Sequence, residues 1–259
     1  MLIKNLVRIW SKKNYESRCL AFVVLCKLIR FQPKLFASVY KNCYAAYIGN
    51  TKGITLENLQ IIGFMQKSFA ELTLMESSVA YEYAFVYIRQ CAIHLRNATI
   101  SKRKDLIKII YNWQFVQCLY LWTQVASVLN STRAISQEGG RLLRDLIYPL
   151  IHVIMGVMKA FNSHRYIPLK IHCLRMLLKI QINCQVYIPT LSLAAELLTD
   201  LAKIDAKKPK KGKGNLKRVL EIQELIKFNI DMLEDGIYRE KLATEIRTML
   251  IEAAYVNRG

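Results

Sequence analysis

The residues able to move a proton or attack a substrate are few, and their spacing does not bring them together. The four histidines are His94, His152, His164 and His172, and none stands in an H-E-x-x-H arrangement that would set two imidazoles and a base on one helix face. His172 adjoins Cys173, but neighbours in a helix point to different faces, so a metal held there would need distant ligands. Gly139-Gly140-Arg141 has neither the spacing nor the Lys-Ser/Thr ending of a phosphate loop. Ser101-Lys102-Arg103-Lys104 fits Ser-x-x-Lys, yet a helix cap followed by a solvated basic turn accounts for it. Three cations in that first turn would oppose the helix dipole, which hints at an anionic partner. Carboxylates are scarce, and no two are placed so that one would be held protonated for acid–base work. The expectation is a protein that is not an enzyme, with no cofactor, no metal and no small-molecule substrate.

Residues suited to binding are more plentiful. The 38 Lys and Arg against 19 Asp and Glu give a net charge of +19, which bears on partners and solubility and not on fold. Nucleic acid, an acidic protein and an anionic membrane surface are the candidate partners. Between 206 and 218 lie Lys207, Lys208, Lys210, Lys211, Lys213, Lys217 and Arg218 with no acid, one Pro and two Gly. Such a stretch cannot pack, and is expected to be an exposed loop. It reads as a nuclear import signal, as an RNA-contacting arm drawing affinity from counterion release, or as a plain solvated linker. Without its seven charges the chain still carries +12, so the excess is spread over the body.

A second binding candidate is the stretch 80–98, which has no Gly, no Pro and apolar residues around most of its circumference. A helix wetted on one side should show a polar stripe at 3.6 spacing. This one is therefore expected to pack between other helices, with Arg89, His94, Arg96 and Asn97 held in set places. Those four either bond carbonyls of adjoining loops or meet a partner. A third candidate is the segment 102–130, expected as one long helix capped by Ser101. Its Tyr111, Phe115, Leu119 and Trp122 share one face, read as core in preference to a base-stacking platform. Trp113 and Tyr120, seven residues apart on another face, could be core or a protein contact.

The elements that must position these residues are helices. Gly is 10 and Pro only 5 among 259 residues of 53% hydrophobic content, a scarcity of breakers that favours long helices. A chain this long buries roughly three quarters of the surface its unfolded form exposes. Helices are expected over 14–30, from Pro33 to Gly49-Asn50, from a Thr55 cap to about Met75, and from Ser77 or Ser78 onward. Beyond 130 they are expected over 136–162 with a break before Pro149, over 163–183 and 187–205, and in two pieces after Asn215. Tyr148-Pro149, Tyr166-Ile167-Pro168 and Tyr187-Ile188-Pro189 form a weak repeat, and Pro149 to Pro189 spans about the ~40–47 residues of a HEAT-type helix pair. The fold class expected is all-α, a HEAT/armadillo-like α-solenoid of stacked antiparallel helices. Its parts are a solenoid core over 1–205, the basic flexible loop over 206–218, and C-terminal helices over 219–259 packing on the core.

The most apolar segments, 19–26 and 146–158, fall short of the ~18–20 residues a bilayer demands, and the first ten residues hold no signal-peptide core. A soluble, intracellular protein with no membrane partner is expected. The seven cysteines are odd in number, lack any C-x-x-C and sit in apolar runs, as free thiols in a reducing compartment would.

Residues 83–98, Tyr-Ala-Phe-Val-Tyr-Ile-Arg-Gln-Cys-Ala-Ile-His-Leu-Arg-Asn-Ala, resemble the nucleolar complex protein 2 family of ribosome assembly factors. Other segments agree in order. They are Leu6-Val7-Arg8-Ile9-Trp10-Ser11 with Ala21-Phe22, Phe64-Met65-Gln66-Lys67-Ser68 with Glu71-Leu72, and Tyr111-Asn112-Trp113-Gln114-Phe115-Val116 with Cys118-Leu119-Tyr120-Leu121-Trp122. Tyr148-Pro149-Leu150, the run from Arg165 to Arg175, and Tyr187-Ile188-Pro189 follow. The resemblance covers most of 6–198 and, more loosely, 228–252. Cys91 stands where the family usually has Leu. Members usually carry a long charged N-terminal extension, whereas this chain opens directly on the core, so functions residing in the extension are not implied for it.

The resemblance implies a HEAT-like scaffold without catalysis. It would pair as a heterodimer with other nucleolar complex proteins on precursors of the large ribosomal subunit, with the precursor's RNA a further candidate contact. It would act in their maturation and their passage from nucleolus to nucleoplasm. Two rival readings share the helical shape: a HEAT-type nuclear transport carrier, which the +19 charge disfavours, and a general RNA-binding helical module, which demands strongly salt-dependent RNA affinity from the protein alone.

Overall fold

The computed structural model describes residues 1–129, 138–161, 163–207 and 219–227; of 138, 164 and 202–207 it describes the backbone alone. These residues are α-helical throughout, with short connections and no strand among them. The helices are α1 (Leu2–Lys12), α2 (Tyr15–Phe31), α3 (Phe36–Asn50), α4 (Leu56–Thr73), α5 (Ser77–Ser101), α6 (Lys104–Ile110), α7 (Trp113–Val128), α8 (Glu138–Asp145), α9 (Ile147–Ala160), α10 (Ile167–Cys184) and α11 (Thr190–Lys207). A further helical run covers 219–227. The chain divides into two compact units, Met1–Gly156 and Val157–Gly259.

Helix starts follow local chemistry. Pro33 opens a 3-10 turn ahead of α3, Pro149 is the third residue of α9, Pro168 the second of α10, and Pro189 directly precedes α11, each where a missing N–H costs little. Thr55 and Asn58 form a reciprocal capping box at α4: Thr55 Oγ1 accepts from Asn58 N at 3.3 Å, and Asn58 Oδ1 accepts from Thr55 N at 2.8 Å. At the other end of α1 the Arg18 guanidinium, taken out of water, donates to the Lys13 carbonyl, and this desolvation lowers its pKa.

The long helix expected over 102–130 is instead two helices with a different start. Ser101 is the last residue of α5 and not a cap; Lys102 follows in the left-handed conformation at φ 50°, its N–H reaching Ala98 O at 3.2 Å. Lys102 suits the negative end of the helix finishing there, whereas Arg103 and Lys104 open α6 against its dipole, offset by Asp105 in the same turn, whose carboxylate accepts from Arg103 Nη2 at 2.7 Å. Asn112 then divides α6 from α7. Its Nδ2 donates to Lys108 O at 3.1 Å and Ile109 O at 2.9 Å, and its Oδ1 accepts from Phe115 N at 2.8 Å, so one side chain ends one helix and starts the next. Tyr111 thereby leaves the face it was expected to share; Phe115, Leu119 and Trp122 remain together in the core.

In the first unit, aromatic rings join the helices. Tyr40 of α3 stands 4.5 Å from Phe69 of α4, and Tyr44 of α3 stacks on Tyr87 of α5 with centroids 3.8 Å apart. Trp122 of α7 meets Tyr44, Phe69 and Tyr87 at 6.0, 6.1 and 6.1 Å. Such offset and edge contacts add to the burial of their large apolar area. Buried polar groups fix the register: Trp10 Nε1 donates to Ser68 Oγ at 3.0 Å, Tyr40 and Thr73 hydroxyls lie 3.1 Å apart, and Gln66 Nε2 donates to Tyr47 Oη and to Gln117 Oε1, both at 2.9 Å. Burial pushes the Tyr40 and Tyr47 hydroxyls far above the usual tyrosine range, so both stay neutral donors. Gly139 brings α8 onto the start of α5, where a Cβ would lie 2.3 Å from Ser78 N.

In the second unit α10 buries most of its length and packs on α11. Thr190 Oγ1 donates to Gln181 Oε1 at 3.2 Å, Lys170 pairs with Asp200 at 3.6 Å, and Arg175 pairs with Glu221 of the 219–227 run.

Candidate functional site

Helix α5 supplies the site. Ser77, Ala80, Ala84, Ile88, Cys91 and Ala98 are buried, recurring every three to four residues through most of the helix, so one face is anchored on α3, α7 and α8. The other face is not covered as expected. Phe85 is 45% exposed, Val86 57%, Ile93 38% and Ile100 68%. The scarcity of polar residues on α5 therefore marks an apolar surface open among the described residues, and not a helix buried on all sides. Periodicity alone cannot separate the two cases, because both lack the polar stripe.

Arg89 and Arg96 lie on this open side, two turns apart. They line a cleft of about 580 Å³ whose α5 wall includes Phe85, Ala92, Leu95 and Ile100 and whose other wall is Leu146, just before α9, with Pro149, His152 and Val153 in the first half of α9. Gly156 lets α9 come close at Leu95, since a Cβ there would stand 2.8 Å from Leu95 Cδ2. No carboxylate lines the cleft among the described residues. Tyr148, largely exposed, sets its ring edge-on to His152 at 4.2 Å beside it.

The remaining sequence candidates sit elsewhere. His94 is half-buried, 3.1 Å from the Gln90 amide, and lines a separate recess of 270 Å³ with Tyr44, Tyr87, Cys91, Ile109 and Cys118. Within it Tyr44 Oη lies 3.5 Å from Cys118 Sγ, and the Cys91 thiol donates to Cys118, which raises the pKa of Cys91 and lowers that of Cys118. Asn97 is exposed on α5. Bonds from Arg89, Arg96 or Asn97 to loop carbonyls do not occur among the described residues. Trp113 is exposed at the start of α7 and Tyr120 is half-buried two turns on. Ala206 and Lys207, expected in an exposed loop, are instead the last residues of α11, whereas Lys208, Lys210, Lys211, Lys213, Lys217 and Arg218 lie outside the described residues. The structure thus brings Arg89 and Arg96 together and leaves His94 on another side. Sequence reasoning missed Phe85, Ile100, Pro149 and His152 as members of one surface; Pro149 and His152 are distant in sequence and carried no signal pointing to α5.

The cleft can bind but shows no nucleophile paired with a base. No group of three or more His, Cys, Asp or Glu that could hold a metal occurs among the described residues, and no helix among them is long and apolar enough to cross a membrane.

Comparison with known proteins adds the following. The Noc2p family profile matches residues 34–257. The chain is 39% identical over 257 residues to the nucleolar complex protein 2 homolog of Caenorhabditis briggsae, covering 99% of this chain and 35% of that protein. With the homolog of Caenorhabditis elegans the identity is 40% over 257 residues, with the same coverage. With nucleolar complex protein 2 of Drosophila melanogaster it is 33% over 252 residues, 97% of this chain and 31% of that one. The chain spans about a third of the length of these curated relatives.

Proposed function

The chain belongs to the Noc2p family, and from that premise we propose that it is a non-enzymatic scaffold in assembly of the large ribosomal subunit. It works in the nucleus, with other nucleolar complex proteins, as a heterodimer on precursor particles, in their maturation and their transit from nucleolus to nucleoplasm. The observation that carries the reading is the match along nearly all of this helical chain to proteins named for the nucleolar complex. The physical features agree with it: a net charge of +19 suits an RNA-rich particle, and the apolar side of α5 suits a protein partner. The HEAT/armadillo-like stacking of antiparallel helices belongs to the same proposal, as does nuclear entry through the basic stretch from Lys207 to Arg218.

Affinity purification of the tagged chain from its own cells tests the reading. Nucleolar complex partners and large-subunit precursor RNA are expected together, and recovery of neither overturns it. Replacing Lys207, Lys208, Lys210 and Lys211 by Ala should reduce nuclear entry; an unchanged nucleolar signal removes the import role from the loop.

A further inference from the structure

We infer that the cleft between α5 and the start of α9 is a docking groove for an acidic amphipathic helix of a protein partner. The inference rests on the scaffold reading and names the partner's chemistry at one surface. Phe85 and Ile100 mark the ends of the α5 wall, fifteen residues apart, so that wall runs ~22 Å, and Leu146 to Val153 face it over about two helical turns. Its walls are largely aliphatic, with Ile88, Leu95 and Val153 between the two helices. A groove between two helices takes a third whose apolar residues recur at i, i+3, i+4 and i+7.

The charges decide the flank of that helix. Arg89 and Arg96 are exposed, lie two turns apart on the same wall, and meet no carboxylate among the described lining residues. A partner helix lying along the groove, with carboxylates seven residues apart, places one opposite each guanidinium, where bidentate pairing is available. A second copy of this chain would instead add to a like net charge of +19. Single-stranded RNA would ask for cations along the whole groove and a run of flat rings to stack on; the described lining has two arginines on one wall, and its rings are Phe85 on that wall and His152 on the other.

The test places the photo-crosslinking amino acid p-benzoylphenylalanine at Ala92, inside the groove, in the tagged full chain within its own cells. Mass spectrometry then identifies what is attached. The expected product is a protein segment with apolar residues at helical spacing and an excess of Asp and Glu on one side. The reversal Arg89→Glu with Arg96→Glu, at two exposed positions and with the helical circular dichroism checked against the parent, should lower that crosslink by more than about tenfold, because like charges would then face each other. Attachment to RNA, to a basic segment or to one without helical spacing overturns the inference, as does a crosslink unchanged by the reversal. If the unsubstituted chain recovers partners and precursor RNA while the groove fails these tests, only the groove is wrong. If it recovers neither, the scaffold reading fails first.

Discussion

The Tyr44 ring on α3 and the Tyr87 ring on α5 lie 3.8 Å apart between centroids and 14° from parallel. This stack ties the inner side of α5 to the first unit's core, while the opposite side carries Arg89 and Arg96. Tyr87 is only half-buried, yet burial and the neighbouring Tyr83 hydroxyl both raise its pKa, so it packs as a neutral ring. Tyr44→Leu and Tyr87→Leu should each destabilise the protein, and a double-mutant cycle by urea unfolding should return a coupling of about 0.5–1.5 kcal/mol for the ring pair. Strict additivity would mean that the stack contributes nothing beyond area.

Two helical glycines should respond with opposite sign to the same change. Gly63, within α4, has no neighbour within 4 Å of a built Cβ, so Gly63→Ala should stabilise by about 0.5–1 kcal/mol through helix propensity. At Gly139 the Cβ would meet Ser78 N at 2.3 Å and Ser77 C at 2.6 Å, both backbone, which cannot step aside as a side-chain tip can. Gly139→Ala should therefore cost about 1–3 kcal/mol as α8 is forced off α5. Thermal unfolding of the two variants side by side reads the difference; equal shifts would show that α8 does not approach α5 so closely.

The helical class and the helix starts at Pro33 and Thr55 were legible in the sequence, because capping and proline chemistry act within a few residues; the starts expected at 163 and 187 fall instead at Ile167 and Thr190, beside Pro168 and Pro189. The division at Asn112 was not legible, since Asn serves equally on a solvent-facing helix turn, and only its three bonds reveal a double cap. The end of α5 at Ser101 had left a trace in Lys102, a cation suited to the helix end it caps, although Arg103 and Lys104 open α6 against its dipole. Of the groove, Arg89 and Arg96 were visible as odd polar groups on an apolar helix. Their partner wall at Pro149 and His152 was not, because it depends on how α8 folds back on α5, a tertiary outcome that no local pattern encodes.

The three-residue network of Tyr47, Gln66 and Gln117 should behave as a unit. Tyr47 Oη donates to Gln117 O at 2.9 Å and receives from Gln66 Nε2, which also holds Gln117 Oε1, so each removal leaves a buried group with a lost partner. Tyr47→Phe and Gln66→Leu should each cost about 1–3 kcal/mol. The double variant should cost clearly less than their sum, since the second change removes a group the first had already stranded. Equilibrium unfolding of the three variants checks this, and additive losses would show that the two side chains act independently.

In the second unit, His172 should make stability depend on pH below neutrality. Burial lowers its pKa first, and the Arg175 guanidinium three residues on lowers it further. The folded state thus binds the proton less readily than the unfolded chain, whose imidazole titrates near its ordinary value of ~6.5. Above that value both states are neutral at His172 and its contribution is complete. As pH falls below it, the unfolded state takes up a proton that the folded state refuses, and stability declines until the folded pKa is passed. The slope from this group cannot exceed about 1.4 kcal/mol per pH unit. His172→Asn keeps a polar side chain without the titration, so it should flatten the unfolding free energy between pH 7 and 5 relative to the parent protein. Replacing Arg175 by Gln should leave the onset where it is but end the decline at a higher pH with a smaller total loss, because the second of the two causes is then gone. Parallel pH profiles for parent and His172→Asn would show that the imidazole is as free to charge in the folded protein as in the unfolded chain.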